Sequence, residues 1–282
     1  MKQRTLSLAK SIWRKLVSKK IAESLVLLLS EVADINLLVF AYNQMGILKY
    51  KNSYVSGEQY VVKQVLKREL NQQNLIFFDV GANRGDYSKE LRAEFPYAEI
   101  FAFEPNPHAF TALTSSLRSS KDHCYCLGFG DKAGCQTIYT YEHEIDSQHA
   151  SLYKDVFLNF HHAHDLLNVD IQLMTIDQFC QENNLRQIDF LKIDVEGYEL
   201  DVLRGAERML QESRIRIIQF EFNVTHVFSR VFLKDFYMLL RDYQMYRLDT
   251  EKLVYLPEYD PVNEIFQFQN FLAIRKSQIL IN

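Results

Sequence analysis

Residues 75–85 read Leu-Ile-Phe-Phe-Asp-Val-Gly-Ala-Asn-Arg-Gly, an apolar run that ends in an acid and continues into a glycine turn. After Gly85 a helical pattern begins, with Tyr87, Leu91 and Phe95 spaced along one helix face. Open α/β sheets build a nucleotide-binding cradle in this order of strand, glycine turn and helix. The stretch therefore predicts an α/β fold.

The acid in this turn favours one class of cofactor over another. At the strand tip Asp79 would repel a pyrophosphate, but it would attract a ligand that carries an ammonium and a sulfonium. Two glycines without Cβ let the backbone turn sharply and lie close to a ligand. The prediction is S-adenosylmethionine (SAM) rather than NAD, and its first binding residues are Asp79, Gly81, Ala82, Asn83 and Gly85.

Beyond residue 71, apolar strands alternate with amphipathic helices, which predicts a mostly parallel sheet with helices on both faces. The last two strands are joined by a short connection without a helix, so at least one of them is expected to be antiparallel. A long polar loop with several histidines, residues 142–168, separates two of the strands and is a candidate substrate lid.

Two further acids extend the predicted cofactor site. Glu104 ends the second strand, where a carboxylate can accept both hydroxyls of a ribose. Asp131 follows the strand expected at Cys124–Phe129 and can accept from the exocyclic amine of an adenine, with Phe129 over the ring. For both acids the simpler alternative is an ordinary surface turn.

The strand Asp189–Val195 carries an alternating row of charges. Lys192, Asp194 and Glu196 share one strand face, and charges inside an apolar strand are costly unless they are paired. Ligands of open α/β sheets bind at the carboxyl ends of strands, so these three residues are the predicted catalytic group. The alternative is a buried ion pair that only fixes the sheet.

These motifs resemble those of the FkbM-type SAM-dependent methyltransferases. The resemblance covers roughly residues 71–275 and is carried by Asp79–Gly85, Phe103–Pro105, Gly130-Asp131, Ser151-Leu152, Ile188–Gly197 and Val202–Ala206.

The resemblance implies a Rossmann-like class I fold with a seven-stranded sheet. It implies a methyltransferase domain at 71–282 after an N-terminal helical extension at 1–70. The implied reaction is O-methylation of a sugar, glycan or natural-product hydroxyl by in-line SN2 transfer. For this reaction we expect Asp194 or Glu196 to act as the base, or as a carboxylate that orients the hydroxyl, with Lys192 tuning their charge.

Three alternatives stay open at this stage. A nucleotide-dependent oxidoreductase would use the same fold, although Asp79 is badly placed for a pyrophosphate. A non-catalytic SAM-fold scaffold or a membrane-docked partner protein would leave the acids without a reaction.

No metal site is predicted, but a divalent ion, if one is used, would be expected on Asp194, Glu196 and Glu221.

The amino-acid composition limits the classes of partner that are expected. The 282 residues are 48% hydrophobic with a net charge of −4, which is typical of a folded protein and gives no support to nucleic-acid binding. The four cysteines form no C-x-x-C pair, so reduced thiols in the cytoplasm are expected.

The first 20 residues contain seven Lys or Arg and no acid. They predict either a helical cap on the main domain or peripheral contact with the inner membrane face.

Overall fold

A computed structural model describes residues 19–141, 150–151 and 166–276. The chain divides into two compact units, Met1–Met45 and Gly46–Asn282. The described part of the first unit contains two helices, α1 (Lys19–Val32) and α2 (Leu37–Gln44), and neither buries any residue. The predicted domain boundary at residue 70 stays a prediction, and residues 46–70 lie in the second unit.

The second unit has an α/β architecture. Its described strands are, in chain order, β1 (Ile76–Val80), β2 (Glu99–Phe103), β3 (Asp122–Tyr125), β4 (Gly128–Phe129), β5 (Gly134–Tyr141), β6 (Ala150–Ser151), β7 (Leu166–Met174), β8 (Ile188–Ile193), β9 (Ile215–Phe222), β10 (Tyr243–Asp249), β11 (Lys252–Leu256) and β12 (Gln269–Arg275). Its described helices are α3 (Glu58–Tyr60, continued through a π-helical turn at Val61–Val65 into Leu66–Glu69), α4 (Asp86–Glu94), α5 (Pro107–Ser116), α6 (Ile176–Glu182), α7 (Glu199–Arg204), α8 (Glu207–Gln211), α9 (Thr225–Ser229) and α10 (Leu233–Leu239), with a 3₁₀ turn at Pro261–Asn263.

The central sheet has the strand order β11-β10-β12-β9-β8-β1-β2-β3. The five strands from β9 to β3 are parallel neighbours, whereas β12 is antiparallel to both β9 and β10. This confirms a mostly parallel sheet with an antiparallel end. The sheet has eight strands instead of the expected seven, because β10 continues through a tight turn into the antiparallel strand β11.

A second, four-stranded sheet has the order β4-β7-β5-β6. The single strand expected at Cys124–Phe129 is wrong, since the chain leaves the central sheet after β3 and enters the second sheet at β4. There Gly128 pairs with Leu173 of β7. The sequence from β3 to β4 is apolar enough to resemble a single strand, and only the pairing with distant residues shows that β3 and β4 belong to different sheets.

The core lies on both faces of the central sheet. Along β1, Phe77 and Phe78 point to opposite faces, as the period of a strand requires. Phe78 packs in the cluster that holds α6 and α7, and Phe77 packs with the helices α3 and α4. The prediction of helices on both faces is confirmed.

Candidate active site

A cleft of about 860 Å³ opens at the carboxyl ends of the central parallel strands. It gathers most of the predicted site residues, namely Gly81, Ala82, Asn83, Glu104, Lys192, Asp194 and Glu196. Three predicted cofactor residues are not among those that line it. Asp79 and Gly85 are buried, and Asp131 is exposed to solvent.

The turn after β1 brings the backbone close to β8. Gly81 has a φ of +79°, and a Cβ built on it would lie 1.8 Å from the carbonyl oxygen of Asp194. The amides of Gly81 and Ala82 donate to the carbonyl of Phe103 at 3.0 and 2.9 Å, which ties the turn to the end of β2. Only glycine fits here, because any side chain would push β1 and β8 apart.

Asp79 forms the buried base of this region. Its Oδ2 accepts a hydrogen bond from Ser88 Oγ of α4 at 2.6 Å, and its Oδ1 lies 3.9 Å from the Lys192 ammonium. Burial raises the pKa of Asp79, while Lys192 and Ser88 act in the opposite direction. The sequence correctly places this acid at the strand end, but the structure turns it toward Lys192 beneath the cleft.

Glu104 joins two backbone turns. Its Oε2 accepts the amide of Asn83 and its Oε1 accepts the amide of Asn106, both at 2.9 Å. The residue is 6% exposed, and burial raises the pKa of its carboxyl to about 7 even though both amides favour the charged form. The carboxylate is therefore fixed in orientation and can change its charge near neutral pH.

Lys192 is a buried cation among acids. Its Nζ donates to Asp194 Oδ2 at 3.0 Å and lies 4.9 Å above the centre of the Tyr87 ring. Burial disfavours the ammonium, but Asp194, Asp79 and Glu58 outweigh that effect and raise the pKa of Lys192. Lys192 and Asp194 thus form an ion pair, and the pair also opens on the cleft, where the Asp194 side chain is 36% exposed.

The end of β9 supplies a further carboxyl. Burial, followed by the charges of Asp194, Glu196 and Glu199, raises the pKa of Glu221 well above its ordinary value. The amide of Asn223 donates to Glu221, and both side chains line the cleft. A carboxyl of this kind is a strong proton acceptor once it is ionised.

The turn that carries Glu196 is held from below by Glu199. Glu196 has a φ of +53°, which is uncommon for a residue with a side chain, and Gly197 has a φ of +100°, which glycine adopts readily. Glu199 Oε1 accepts the amide of Val195 at 3.0 Å, and Glu199 Oε2 accepts that of Gly197 at 3.0 Å. The sequence interpretation missed Glu199, which is the first residue of α7 and binds backbone amides of the turn before the helix. An acid in the first turn of a helix is favoured by the helix dipole, and this is the only local signal for it.

One wall of the cleft comes from the segment before β1, which the sequence interpretation did not include in the site. Glu58 Oε2 accepts from Ser56 Oγ at 2.9 Å, and Glu58 Oε1 accepts from Gln219 Nε2 at 3.3 Å. Tyr87 donates its hydroxyl to Gln219 at 2.9 Å. The hydrogen bonds to Gln219 connect α3, α4 and β9 through residues more than 100 positions apart, and no local sequence pattern predicts them.

Within the described ranges, no group of three or more His, Cys, Asp or Glu side chains is arranged so that it could hold a metal ion. Asp194, Glu196 and Glu221 line one cleft without forming such a group. The histidines 143, 149, 161, 162 and 164 and most of the loop 142–168 lie outside the described residues.

Residues 79–248 match the family described as the methyltransferase FkbM domain, and the chain belongs to this family. Two curated relatives are the hexuronic acid methyltransferase AglP of Haloferax volcanii and the 2-O-methyltransferase NoeI of Sinorhizobium fredii. The first is 25% identical over 58% of this chain and 62% of its own length. The second is 22% identical over 51% and 63%. The chain thus spans about three-fifths of the length of these relatives.

Among solved structures, a methyltransferase FkbM from Methylobacillus flagellatus KT is similar with a TM-score of 0.44. The match has 14% identity and covers 86% of this chain and 60% of that protein. The plantazolicin methyltransferase BpumL in complex with SAH gives a TM-score of 0.42 at 10% identity, over 80% of this chain and 86% of that protein.

Proposed function

We propose that this protein transfers a methyl group from SAM to a hydroxyl of a sugar or natural-product acceptor. The observation that carries the proposal is one cleft in which a glycine cradle, the Glu104 carboxylate and the Lys192–Asp194 pair meet at the ends of parallel strands. Family membership supports the same reaction, as do the names of the two relatives, one a hexuronic acid methyltransferase and one a 2-O-methyltransferase.

The residues at the β1 and β2 ends fit the cofactor. At Gly81 the space that a Cβ would need is already taken, so the backbone itself faces the cleft. Each oxygen of Glu104 accepts one backbone amide and keeps a second lone pair, which suits the two hydroxyls of a ribose. When bound, SAM supplies a methyl group that its own positive sulfonium has already activated.

The remaining task of the protein is to orient the acceptor hydroxyl and take its proton. Asp194 is fixed by Lys192 and partly exposed, which suits a carboxylate that orients the hydroxyl. Glu221 is a strong proton acceptor once it is ionised, because burial and neighbouring carboxylates raise its pKa. We assign orientation to Asp194 and proton acceptance to Glu221, while Glu196 completes the same wall.

The charge of the cleft bears on the class of acceptor. Its lining has seven carboxyl side chains and three cationic ones, the acids being Glu58, Asp86, Glu90, Glu104, Asp194, Glu196 and Glu221. Burial raises the pKa of Glu58, Glu104 and Glu221, but even if these three carboxyls are neutral the other four acids outnumber the three cations. An acceptor with its own carboxylate would therefore be disfavoured here, and the preferred acceptor is a neutral hydroxyl compound. In this respect the chain would differ from a relative that is named for a hexuronic acid.

The first test is calorimetric titration with S-adenosylhomocysteine (SAH), beside a titration with NADH. Wild type should bind SAH and not NADH, and Glu104→Gln should weaken SAH binding strongly. Glu99→Gln is the matched control, since Glu99 lies at the opposite end of the same strand and pairs with Lys121. A folded wild type that binds no SAH would contradict the proposal, and binding of NADH instead would support an oxidoreductase.

The second test measures transfer of labelled methyl groups from SAM to matched pairs of acceptors. A neutral glycoside should be methylated faster than the corresponding uronide, in which one hydroxymethyl group is replaced by a carboxylate. SAH binding without transfer to any hydroxyl compound would point to the non-catalytic scaffold.

A further inference from the structure

Exposed apolar side chains are concentrated in the first unit. Among the described residues, eleven of the nineteen exposed large hydrophobic side chains lie between positions 21 and 40. The rest are scattered singly from residue 50 to residue 262, which is normal for a protein surface. A dense apolar patch of this kind marks a surface that binds something.

The patch follows one face of α1. Ile21, Leu25, Leu28 and Val32 recur at the spacing of a helix face and are 54%, 40%, 54% and 78% exposed. On the other side of the helix, Lys19 and Glu23 form an ion pair at 3.7 Å and are largely exposed. The helix is amphipathic, although its apolar face buries nothing.

Helix α2 continues the patch after a bend. Asn36 caps the helix by accepting the amides of Leu38 and Val39 at 3.0 and 3.1 Å. Leu38, Val39 and Phe40 are each more than 40% exposed. The two helices meet at an angle of 103°.

The length of the helices decides how they can meet a lipid bilayer. In the described part of the chain, no single helix is long and apolar enough to cross a membrane, and only the bent pair is sufficient in length and composition. A helix of 14 residues extends for roughly 21 Å, and the hydrocarbon core is about 30 Å thick. This geometry suits helices that lie in the interface.

The charge next to the patch indicates which surface it meets. The first 20 residues contain seven Lys or Arg and no Asp or Glu, although the whole chain has a net charge of −4. A bilayer with anionic headgroups attracts such a basic segment and repels the rest of an acidic protein. A purely apolar protein partner would not need this segregation of charge.

We propose that residues 1–44 attach the protein to an anionic membrane surface. The apolar faces of α1 and α2 enter the boundary between headgroups and acyl chains, and the positive charge of the first 20 residues favours anionic headgroups. The attachment is peripheral and would hold the methyltransferase unit at the lipid surface. It does not depend on the reaction proposed above.

The test is sedimentation of the full chain with two kinds of vesicle, phosphatidylcholine alone and phosphatidylcholine with phosphatidylglycerol. Binding should require phosphatidylglycerol and should weaken at least about tenfold when NaCl rises from about 50 mM to about 500 mM. Leu25→Glu/Leu28→Glu should abolish it. Tyr97→Glu/Met238→Glu, two exposed side chains of the second unit, is the matched control and should bind like wild type.

Titration with SAH is run on every variant. Equal SAH affinity in wild type and Leu25→Glu/Leu28→Glu shows that the second unit is folded, whatever its reaction. No binding to phosphatidylglycerol vesicles, or equal binding to both kinds of vesicle, would overturn the proposal. So would a dimer in analytical ultracentrifugation that persists with vesicles present and is lost in Leu25→Glu/Leu28→Glu, since the patch would then bind a second copy of the chain.

Discussion

Glu199 and His226 lie in contact in the protein interior, with His226 Nε2 3.0 Å from Glu199 Oε2 and both side chains 1% exposed. His226 Nδ1 accepts the backbone amide of Asn223 at 3.3 Å, so Nε2 is the nitrogen that carries the proton and faces Glu199. Glu199 in turn holds the amides of Val195 and Gly197. The pair thus joins the turn that carries Glu196 to the end of β9, near Glu221.

Breaking this pair should slow the reaction without removing the cofactor. We expect His226→Phe to lower kcat on the order of 10- to 100-fold, because the turn and the end of β9 lose their common support. The affinity for SAH should change little, since Gly81 and Glu104 lie on other strands. Steady-state kinetics and SAH titration measure the two effects.

Glu207→Gln is the control for this experiment, because Glu207 is an exposed residue of the neighbouring helix α8. Equal loss of kcat and SAH affinity in His226→Phe would show that the pair supports the whole fold rather than the catalytic wall.

The pKa of Glu104 predicts a pH-dependent cofactor affinity. The free carboxyl titrates at about 7, and hydroxyl donors from a ribose would stabilise its charged form. Binding should therefore release a proton, and SAH affinity should fall as the pH drops below about 7. Calorimetry in buffers of different ionisation enthalpy measures the proton release. Glu104→Gln should remove it, and an unchanged release in that variant would assign it to another group.

Lys192 should contribute strongly to stability. Lys192→Met leaves Asp79 buried without its cationic neighbour, and we expect a loss of about 3–5 kcal/mol in the free energy of unfolding. Adding Asp79→Asn should recover at least about 1 kcal/mol, because the uncompensated charge is then gone. Urea unfolding at constant m-value measures both changes.

A surface ion pair provides the comparison. Lys67, with a side chain 48% exposed, pairs with Glu94, and Lys67→Met should cost less than about 1 kcal/mol. If adding Asp79→Asn lowered the free energy of unfolding of Lys192→Met further, the uncompensated charge of Asp79 would not be the cause of the lost stability.

Glu221 should control the pH dependence of the chemical step. At saturating SAM and acceptor, the wild-type kcat should rise with pH through the raised pKa of Glu221, since only the ionised carboxylate accepts a proton. Glu221→Gln should lower kcat by about 100-fold or more and flatten the profile. If Asp194→Asn flattened the profile while Glu221→Gln kept it, Asp194 would be the base.

Gly81→Ala should abolish SAH binding, because its Cβ would lie 1.8 Å from the Asp194 carbonyl and φ is positive. Gly134→Ala is the matched control, since nothing lies within 4 Å of the Cβ built there. We expect SAH affinity and melting temperature near the wild-type values for Gly134→Ala. Retained SAH binding in Gly81→Ala would mean that β1 and β8 can separate at no cost to the cradle.

The sequence predicts those parts of the fold that depend on patterns of neighbouring residues. Strand β1 with its glycine turn, Glu104 at the end of β2, and the charged row from Lys192 to Glu196 all follow from local periodicity. Their convergence follows from the parallel sheet, whose strand ends meet at one edge.

What the sequence does not predict depends on distant partners. The division between β3 and β4 and the Glu58–Gln219 contact are set by pairings between residues far apart in the sequence. Asp131 as a cofactor residue stays a prediction, since it is exposed and is not among the residues that line the cleft. A solvated turn and a binding turn have the same composition.

The contact between Gly81 and the Asp194 carbonyl also restricts where the cleft of this protein can be altered. It couples the end of β1 to the end of β8, so the backbone of neither strand can move alone. The wall formed by residues 48–53 and by Gln267-Phe268 is joined instead by the Leu48 amide, which donates to the Phe268 carbonyl at 2.8 Å, and by the contact between the Tyr50 and Phe268 rings. Side chains of that wall can be exchanged without disturbing the contact at Gly81, so we expect a change of acceptor to be reached there.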